Sequence, residues 1–416
     1  MQLGLALRQR DLLSASKIER DLYSLERKKF NYLLFFAIIC VAVNLRAPIT
    51  AVGPLIPTMK TDLPFSSGVF GLLTTIPLIM FALRATFVRR MSDRLGAGYL
   101  LLYAVIAVAL GVALRSFGGM IGLFAGTLLL GAGIAIGNVL VPGIIKARFP
   151  ERIGLATGAF TISMTSFAAV SAAVSYPLSA LPGMGWRNSM AVWVGLAALG
   201  ILFWLPQRKL SLTGASVSNK VEAESQTSVW RVKTAWWLTV LMGAQSFLFY
   251  FFAAWLPTIA LSKGLEPVTA GYIAFAFQLM TIPAAFLIPA IATRLKDQRG
   301  LISIVAVLYI TSLIGLAFAT SPIFLTISVM LYGFSTGCCF NLCMLLISLR
   351  TNNAARATSL SGMVQSLGYA VGAIGPILGG WLFDLNGNWN ATFACVGVLI
   401  VIIFFSGRQA GKNIYI

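Results

Sequence analysis

SDRLG at residues 92–96 and KDQRG at 296–300 lie 204 positions apart, and the same shift carries Gly133 onto Gly337, Arg152 onto Arg356 and Gly158 onto Gly362. A constant offset held across two polar loops and an apolar span marks an internal duplication of about half the chain. Apolar runs extend outward from each copy. Those of the first half fall near 31–55, 67–88, 98–114, 119–145, 155–180 and 189–206, and those of the second near 236–260, 268–292, 300–319, 323–347, 358–383 and 391–406. Spanning hydrocarbon as a helix takes about 20 mostly apolar residues, because the backbone N–H and C=O groups find no partner in lipid. The runs are continuous and do not alternate, which makes them helices and not barrel strands. With 58% hydrophobic and 10% charged residues and a mean hydropathy of +0.87, the chain lies far from an ordinary soluble domain. The expected fold is an all-α integral membrane protein with twelve transmembrane helices in two pseudo-symmetric six-helix halves.

The expected organisation is an N-terminal tail at 1–30, a six-helix half at 31–206, a Ser-rich charged linker at 207–235, a second half at 236–406 and a C-terminal tail at 407–416. The N-terminal tail mixes seven bases with four acids and has no apolar core leading to a cleavage site, so it reads as a cytosolic tail and not a signal peptide. With both termini in the cytosol, 25 of the 31 Lys and Arg fall on the cytosolic side, and Lys60, Arg115, Arg187 and Lys263 fall outside. A multi-pass protein of a bacterial cytoplasmic (inner) membrane is the expectation. The net charge of +19 is then an orientation signal, with anionic lipids at the cytosolic face as an additional partner. Bases spread over seven separate segments do not form the stripe that a nucleic acid would need.

Two arginines are left inside spans. Arg84 comes five residues before Arg89, close enough to snorkel to the cytosolic surface. Arg46, in CVAVNLRAPITAVGPLIP (40–57), lies roughly 20 Å into its helix at 1.5 Å per residue. The twelve acids all lie elsewhere: four in the tail, Asp93, Glu151, Glu222, Glu224 and Asp297 on the cytosolic side, and Asp62, Glu266 and Asp384 on the outer side. Arg46 therefore has no carboxylate at its own depth, and a cation there faces a water-filled cavity or a partner. Its forked donors suit carboxylate, nitro or small linear anionic groups. The alternative is an Arg tied to helix carbonyls. Around it Asn44, Asn138, Tyr250, Gln278, Asn341 and Gln365 are candidate substrate-binding residues, and Tyr250 stands 204 positions after Arg46. For these neutral side chains an interhelical hydrogen bond is an equal alternative. Trp255 reads as a rim aromatic. With no His and no acid within the membrane, no carboxylate proton relay is expected. The five cysteines read as small apolar fillers without metal-ligand spacing, and no Walker sequence, cofactor or metal site is called for.

VRRMSDRLGAG (88–98) resembles the loop motif of the major facilitator superfamily, with Arg89 where glycine is usual and Ala97-Gly98 where bases usually follow. The resemblance implies parallel halves around a midplane cavity. It implies a gating role for Asp93, Arg94 and Gly96, for their counterparts Asp297, Arg299 and Gly300, and for Arg152 and Arg356. Closer similarity is to the cyanate permease and 2-nitroimidazole transporter family. It runs through NLRAPITAVGPLIP, FGLLTTIPLIMFAL, GAGIAIGNVLVPGIIKARFP, FFAAWLPTIALSKG, LKDQRG and LSGMVQSLGYAVGAIGPILGG to FDLNGNW. What this implies is a transporter, not an enzyme, that moves a small anionic or nitro-bearing solute by rocker-switch alternating access and works as a monomer. One alternative is a multidrug/proton antiporter, against which GPILGG at 375–380 falls on span eleven where those antiporters carry the motif on span five. Another is a carrier-like receptor that binds without moving its ligand.

Overall fold

A computed structural model describes residues 31–210, 228–319, 321–352 and 354–414. The expected N-terminal tail and most of the linker lie outside the described residues, as do the side chains of Arg84, Arg89 and Asp93.

The first span is interrupted where the sequence puts its charge. Helix α1 (Tyr32–Ala42) passes through a 3-10 turn at Val43–Leu45 and breaks at Arg46, whose φ is −132° and ψ −36°. The chain then resumes as α2 (Ala47–Thr50) and α3 (Val52–Asp62). Pro48 has no N–H to give the Asn44 carbonyl, and Pro54 has none for Thr50, so the ladder loses a bond on each side of α2. Thr50 Oγ1 lies 3.2 Å from the Arg46 carbonyl and 2.6 Å from Ser171 Oγ.

The first half continues with α4 (Ser67–Leu95), α5 (Ala97–Phe117), α6 (Gly119–Arg148), α7 (Ile153–Ser179) and α8 (Gly185–Trp204). In the second half, α9 (Lys233–Ser262) is followed by α10 (Pro267–Leu279) and α11 (Thr281–Ala292), two pieces of one span separated where Pro283 withholds a donor from Leu279. Helices α12 (Arg299–Phe318), α13 (Pro322–Leu349), α14 (Ala354–Asn386) and α15 (Asn390–Ala410) complete it. Among the described residues, eleven helices are long and apolar enough to cross a membrane, and α4, with an apolar stretch at Ser67–Leu83, brings the bundle to twelve spans. Large apolar side chains such as Leu202, Ile304 and Phe405 stand about 60% exposed on the periphery, where lipid and not water covers them.

The duplication is visible in packing. In the first half a Cβ on Gly131 of α6 would meet the Pro77 Cα of α4 at 2.8 Å; in the second, a Cβ on Gly337 of α13 would meet the Thr281 Cα of α11 at the same distance. Pro77 and Thr281 are 204 residues apart and the two glycines 206, so the same pair of helices meets in each half with the glycine shifted by two residues. Small residues also let α14 lie against α9: a Cβ on Gly372 would come within 2.8 Å of Ser246 and one on Gly379 within 2.4 Å of the Phe251 ring.

Candidate solute-binding cavity

Between the halves lies a cavity of about 580 Å³, lined by α2, α4, α6 and α7 on one side and by α9, α11, α13 and α14 on the other. Arg46, Asn138, Tyr250, Asn341 and Gln365 all line it. Arg46 reaches it because the helix break frees the residue from a regular turn, and its guanidinium carbon stands 5.1 Å from the centre of the Phe249 ring. That is cation–π range, worth about 0.5–2 kcal/mol depending on desolvation. No carboxylate or hydrogen-bond acceptor meets the guanidinium among the described residues, and no Asp, Glu, Lys or His joins Arg46 in the lining. Asn341 gives one amide hydrogen to the Gly337 carbonyl at 2.8 Å, and Gln365 gives one to Ser361 Oγ at 2.7 Å. The Asn138 amide, partly exposed to the cavity, has no protein partner among the described residues.

An aromatic run crosses the cavity. Phe249 and Tyr250 meet edge to face at 4.9 Å, Tyr250 meets Tyr369 at 6.3 Å, and Tyr369 meets Phe81 of the opposite half at 5.8 Å. Thr50, Thr74, Thr161, Thr165, Gln245 and Thr336 add hydroxyl and amide groups to the lining. Sequence reasoning missed these six. Threonines are common in membrane helices, and only the face each one occupies separates a cavity group from a back-bonded one.

Two candidates sit elsewhere. Asn44 is fully buried behind the first span, where its Nδ2 donates to the Cys40 carbonyl at 2.8 Å and the Leu196 carbonyl of α8 at 3.0 Å. Asn44 lies in the 3-10 turn and Arg46 at the break that follows, and the two side chains face different ways, Asn44 toward α8 and Arg46 into the cavity. Gln278, 2% exposed in α10, does not line the cavity either; the break at Met280 turns Thr281 toward it instead. Trp255 is no rim residue: it is buried, and its indole N–H donates to the Pro376 carbonyl at 2.8 Å, pinning α9 to α14.

The largest departure concerns Arg115. It is not an outer-surface base but is 1% exposed, with Nη1 donating to the Pro48 carbonyl at 2.8 Å. Helical side chains lean toward the N-terminus of their helix, so an Arg near the C-terminal end of α5 leans back into the bundle. Arg350, counted among cytosolic charges, is likewise buried and gathers Gln298 Oε1, the carbonyls of Ala410 and Gly411, and Asn413.

The repeated loops lie at one end of the bundle. Gly96 closes α4 with φ +81° and ψ 145°, a conformation that side-chain-bearing residues rarely adopt. In the second copy, Asp297 accepts from the Arg299 backbone N–H at 3.2 Å and from its guanidinium at 3.1 and 2.7 Å. The Arg299 hydrogen bonds hold the Asp297 carboxyl below the usual carboxylate range. Arg94, Arg152 and Gly300 are exposed, and Arg356 is partly buried.

At the opposite end the halves are sealed. A Cβ on Gly53 would stand 2.8 Å from the Ala253 carbonyl oxygen, and one on Gly71 2.6 Å from that of Pro376. Lys60 donates to Ser67 Oγ at 2.5 Å and lies over the rings of Phe383 (5.7 Å) and Trp255 (6.0 Å) in the second half. Asp384 accepts from the Gly68 N–H at 3.1 Å, placing a carboxylate at the positive N-terminal end of α4. Toward the motif-loop end the lining reaches Ile145, Thr157, Phe286 and Met344, and a Cβ on Gly158 or Gly362 would meet open space.

Residues 34–373 match the Major Facilitator Superfamily. The chain is 35% identical to the 2-nitroimidazole transporter of Escherichia coli (strain K12), over 92% of this chain and 97% of that one. It is 25% identical to the cyanate transport protein CynX of the same organism, over 90% and 97% of the two chains. The crystal structure of a D-xylose-proton symporter superposes with a TM-score of 0.74, covering 93% of this chain and all of the other at 13% identity, a likeness of fold alone. The chain is thus a multi-pass transporter of the Major Facilitator Superfamily, in the branch that holds the 2-nitroimidazole and cyanate transporters.

Proposed function

We propose that the chain carries a small planar solute bearing a carboxylate, a nitro group or another compact anionic group, with Arg46 as the cation that meets it. The observation carrying this reading is a single guanidinium in an otherwise uncharged cavity, unaccompanied by a protein carboxylate among the described residues. A guanidinium edge offers two parallel N–H groups, which match two oxygens on one centre. Phe249 covers the guanidinium, and Tyr250, Tyr369 and Phe81 supply flat apolar walls. Size favours a ring-bearing solute over a bare triatomic anion: three atoms fill about two water volumes, roughly 60 Å³, a small part of this cavity. Asn138, Asn341 and Gln365 then orient the solute's other polar atoms.

The halves move by alternating access. The seal at Gly53, Gly71, Lys60 and Asp384, together with the cavity's extension toward the motif loops, supports a state closed at the expected outer end and open at the expected cytosolic end. The transporter sits in a bacterial inner membrane with both termini cytosolic. The test is uptake into proteoliposomes of 2-nitroimidazole, benzoate and cyanate. Saturable uptake of a ring-bearing solute that Arg46→Ala removes supports the reading, whereas saturable uptake that the alanine variant preserves refutes it.

A further inference from the structure

The cavity does not explain Arg115. This side chain is 1% exposed, and of the five N–H groups a guanidinium carries, the only one donating a hydrogen bond among the described residues is on Nη1, to the Pro48 carbonyl at 2.8 Å. Nε and Nη2 have no acceptor among the described residues, and no carboxylate accompanies the charge there. As a purely structural element this is a poor arrangement. A buried cation with one neutral acceptor is costly, and an apolar side chain of similar volume is often as stable or more so.

Its acceptor gives the charge a purpose. Pro48 lies in α2, the four-residue helix that begins immediately after the break at Arg46. Its ladder runs on through the helical Ala51 into α3 but lapses on the Arg46 side, where Pro48 gives no N–H, so side chains set the bearing of its first turn. Two side-chain contacts hold it: Thr50 Oγ1 to Ser171 Oγ of α7 at 2.6 Å on one side, and Arg115 of α5 on the other. A rotation of α2 swings the Arg46 guanidinium at its N-terminal edge.

We infer that Arg115 is a positioning residue for solute recognition, fixing α2 through the Pro48 carbonyl and thereby the bearing of Arg46 on the cavity. The inference rests on Arg46 being the cation that meets the solute. Because one donor does the holding, lysine at 115 suffices and methionine does not, the reverse of what a forked contact requires.

The experiment uses the purified full chain with Arg115→Met, Arg115→Lys and Arg46→Ala. Amide exchange across residues 43–55 and the Kd for 2-nitroimidazole and benzoate are measured for each. Arg115→Met is expected to speed exchange in that segment and to weaken binding about tenfold, the equivalent of one hydrogen bond. Arg115→Lys is expected to restore both, and the melting temperature of Arg115→Met is expected not to fall. Should Arg115→Met not fold, Arg115→Leu, which likewise has no donor, takes its place. Unchanged exchange in the segment, or a loss that lysine does not restore, overturns the inference. If Arg46→Ala binds normally the site reading fails; if Arg46→Ala fails to bind while Arg115→Met binds as wild type, only the role of Arg115 falls.

Discussion

Replacing Arg46 separates recognition from folding. In the structure its guanidinium carbon stands 5.1 Å from the centre of the Phe249 ring, and no protein acceptor meets it among the described residues. Truncation to alanine therefore leaves no protein anion stranded. It also removes a cation from the membrane interior, where the insertion cost is about 2.5–3.5 kcal/mol. The melting temperature is expected to hold or rise. Binding behaves differently: two charge-assisted hydrogen bonds to a solute contribute about 3 kcal/mol together, so Kd for a planar anion is expected to rise roughly 150-fold. Arg46→Lys keeps the charge but loses the fork, and is expected to recover a minor part of that loss. Isothermal titration with benzoate, paired with thermal melts of the same preparations, reads both quantities. A Kd within threefold of wild type in Arg46→Ala, or a parallel collapse of stability and binding, would mean that Arg46 is not the solute's cation.

Other expectations follow from geometry. Gly71→Ala places a methyl 2.6 Å from the Pro376 carbonyl oxygen, a backbone group that cannot step aside, so the sealed end is expected to open. Faster labelling of an Ala373→Cys reporter by a membrane-impermeant maleimide checks it, and unchanged labelling contradicts it. Lys60→Met removes the bond to Ser67 and the contacts over Trp255 and Phe383, and is expected to raise labelling of the same reporter by a smaller factor. Asn44→Ala loses one hydrogen bond to the Leu196 carbonyl of α8 and one back to Cys40 in its own span, so stability is expected to drop by about 1–2 kcal/mol while solute selectivity stays as it was. With no Asp, Glu, Lys or His in the cavity lining, benzoate counterflow is expected to vary less than twofold between about pH 6 and 8.

The architecture was legible because it is written in composition and repetition. Apolar runs set the spans, and the 204-residue shift laid SDRLG on KDQRG and Gly133 on Gly337, which marks two six-helix halves. Arg46 was legible too, since a charge within hydrocarbon demands an explanation that counting acids can sharpen. What stayed hidden depends on rotation and lean. Asn44 and Gln278 share the depth of the cavity but not its face, which a helix break can reset within one turn. Arg115 looked like an outer base because it lies two residues from a helix end, yet side-chain lean takes it inward to Pro48. The cavity threonines carry no signal of their own, for hydroxyls that bond back to a helix carbonyl look the same in sequence.

Counterflow of labelled solute in proteoliposomes asks whether Arg46 is what the transported solute meets. Vesicles preloaded with unlabelled 2-nitroimidazole, benzoate or cyanate are given the labelled form outside, with wild type and Arg46→Ala side by side. Wild type is expected to accumulate at least one ring-bearing solute transiently, more than cyanate, and Arg46→Ala none. No counterflow with any of the three, or counterflow that survives loss of Arg46, would contradict its role as the solute's cation.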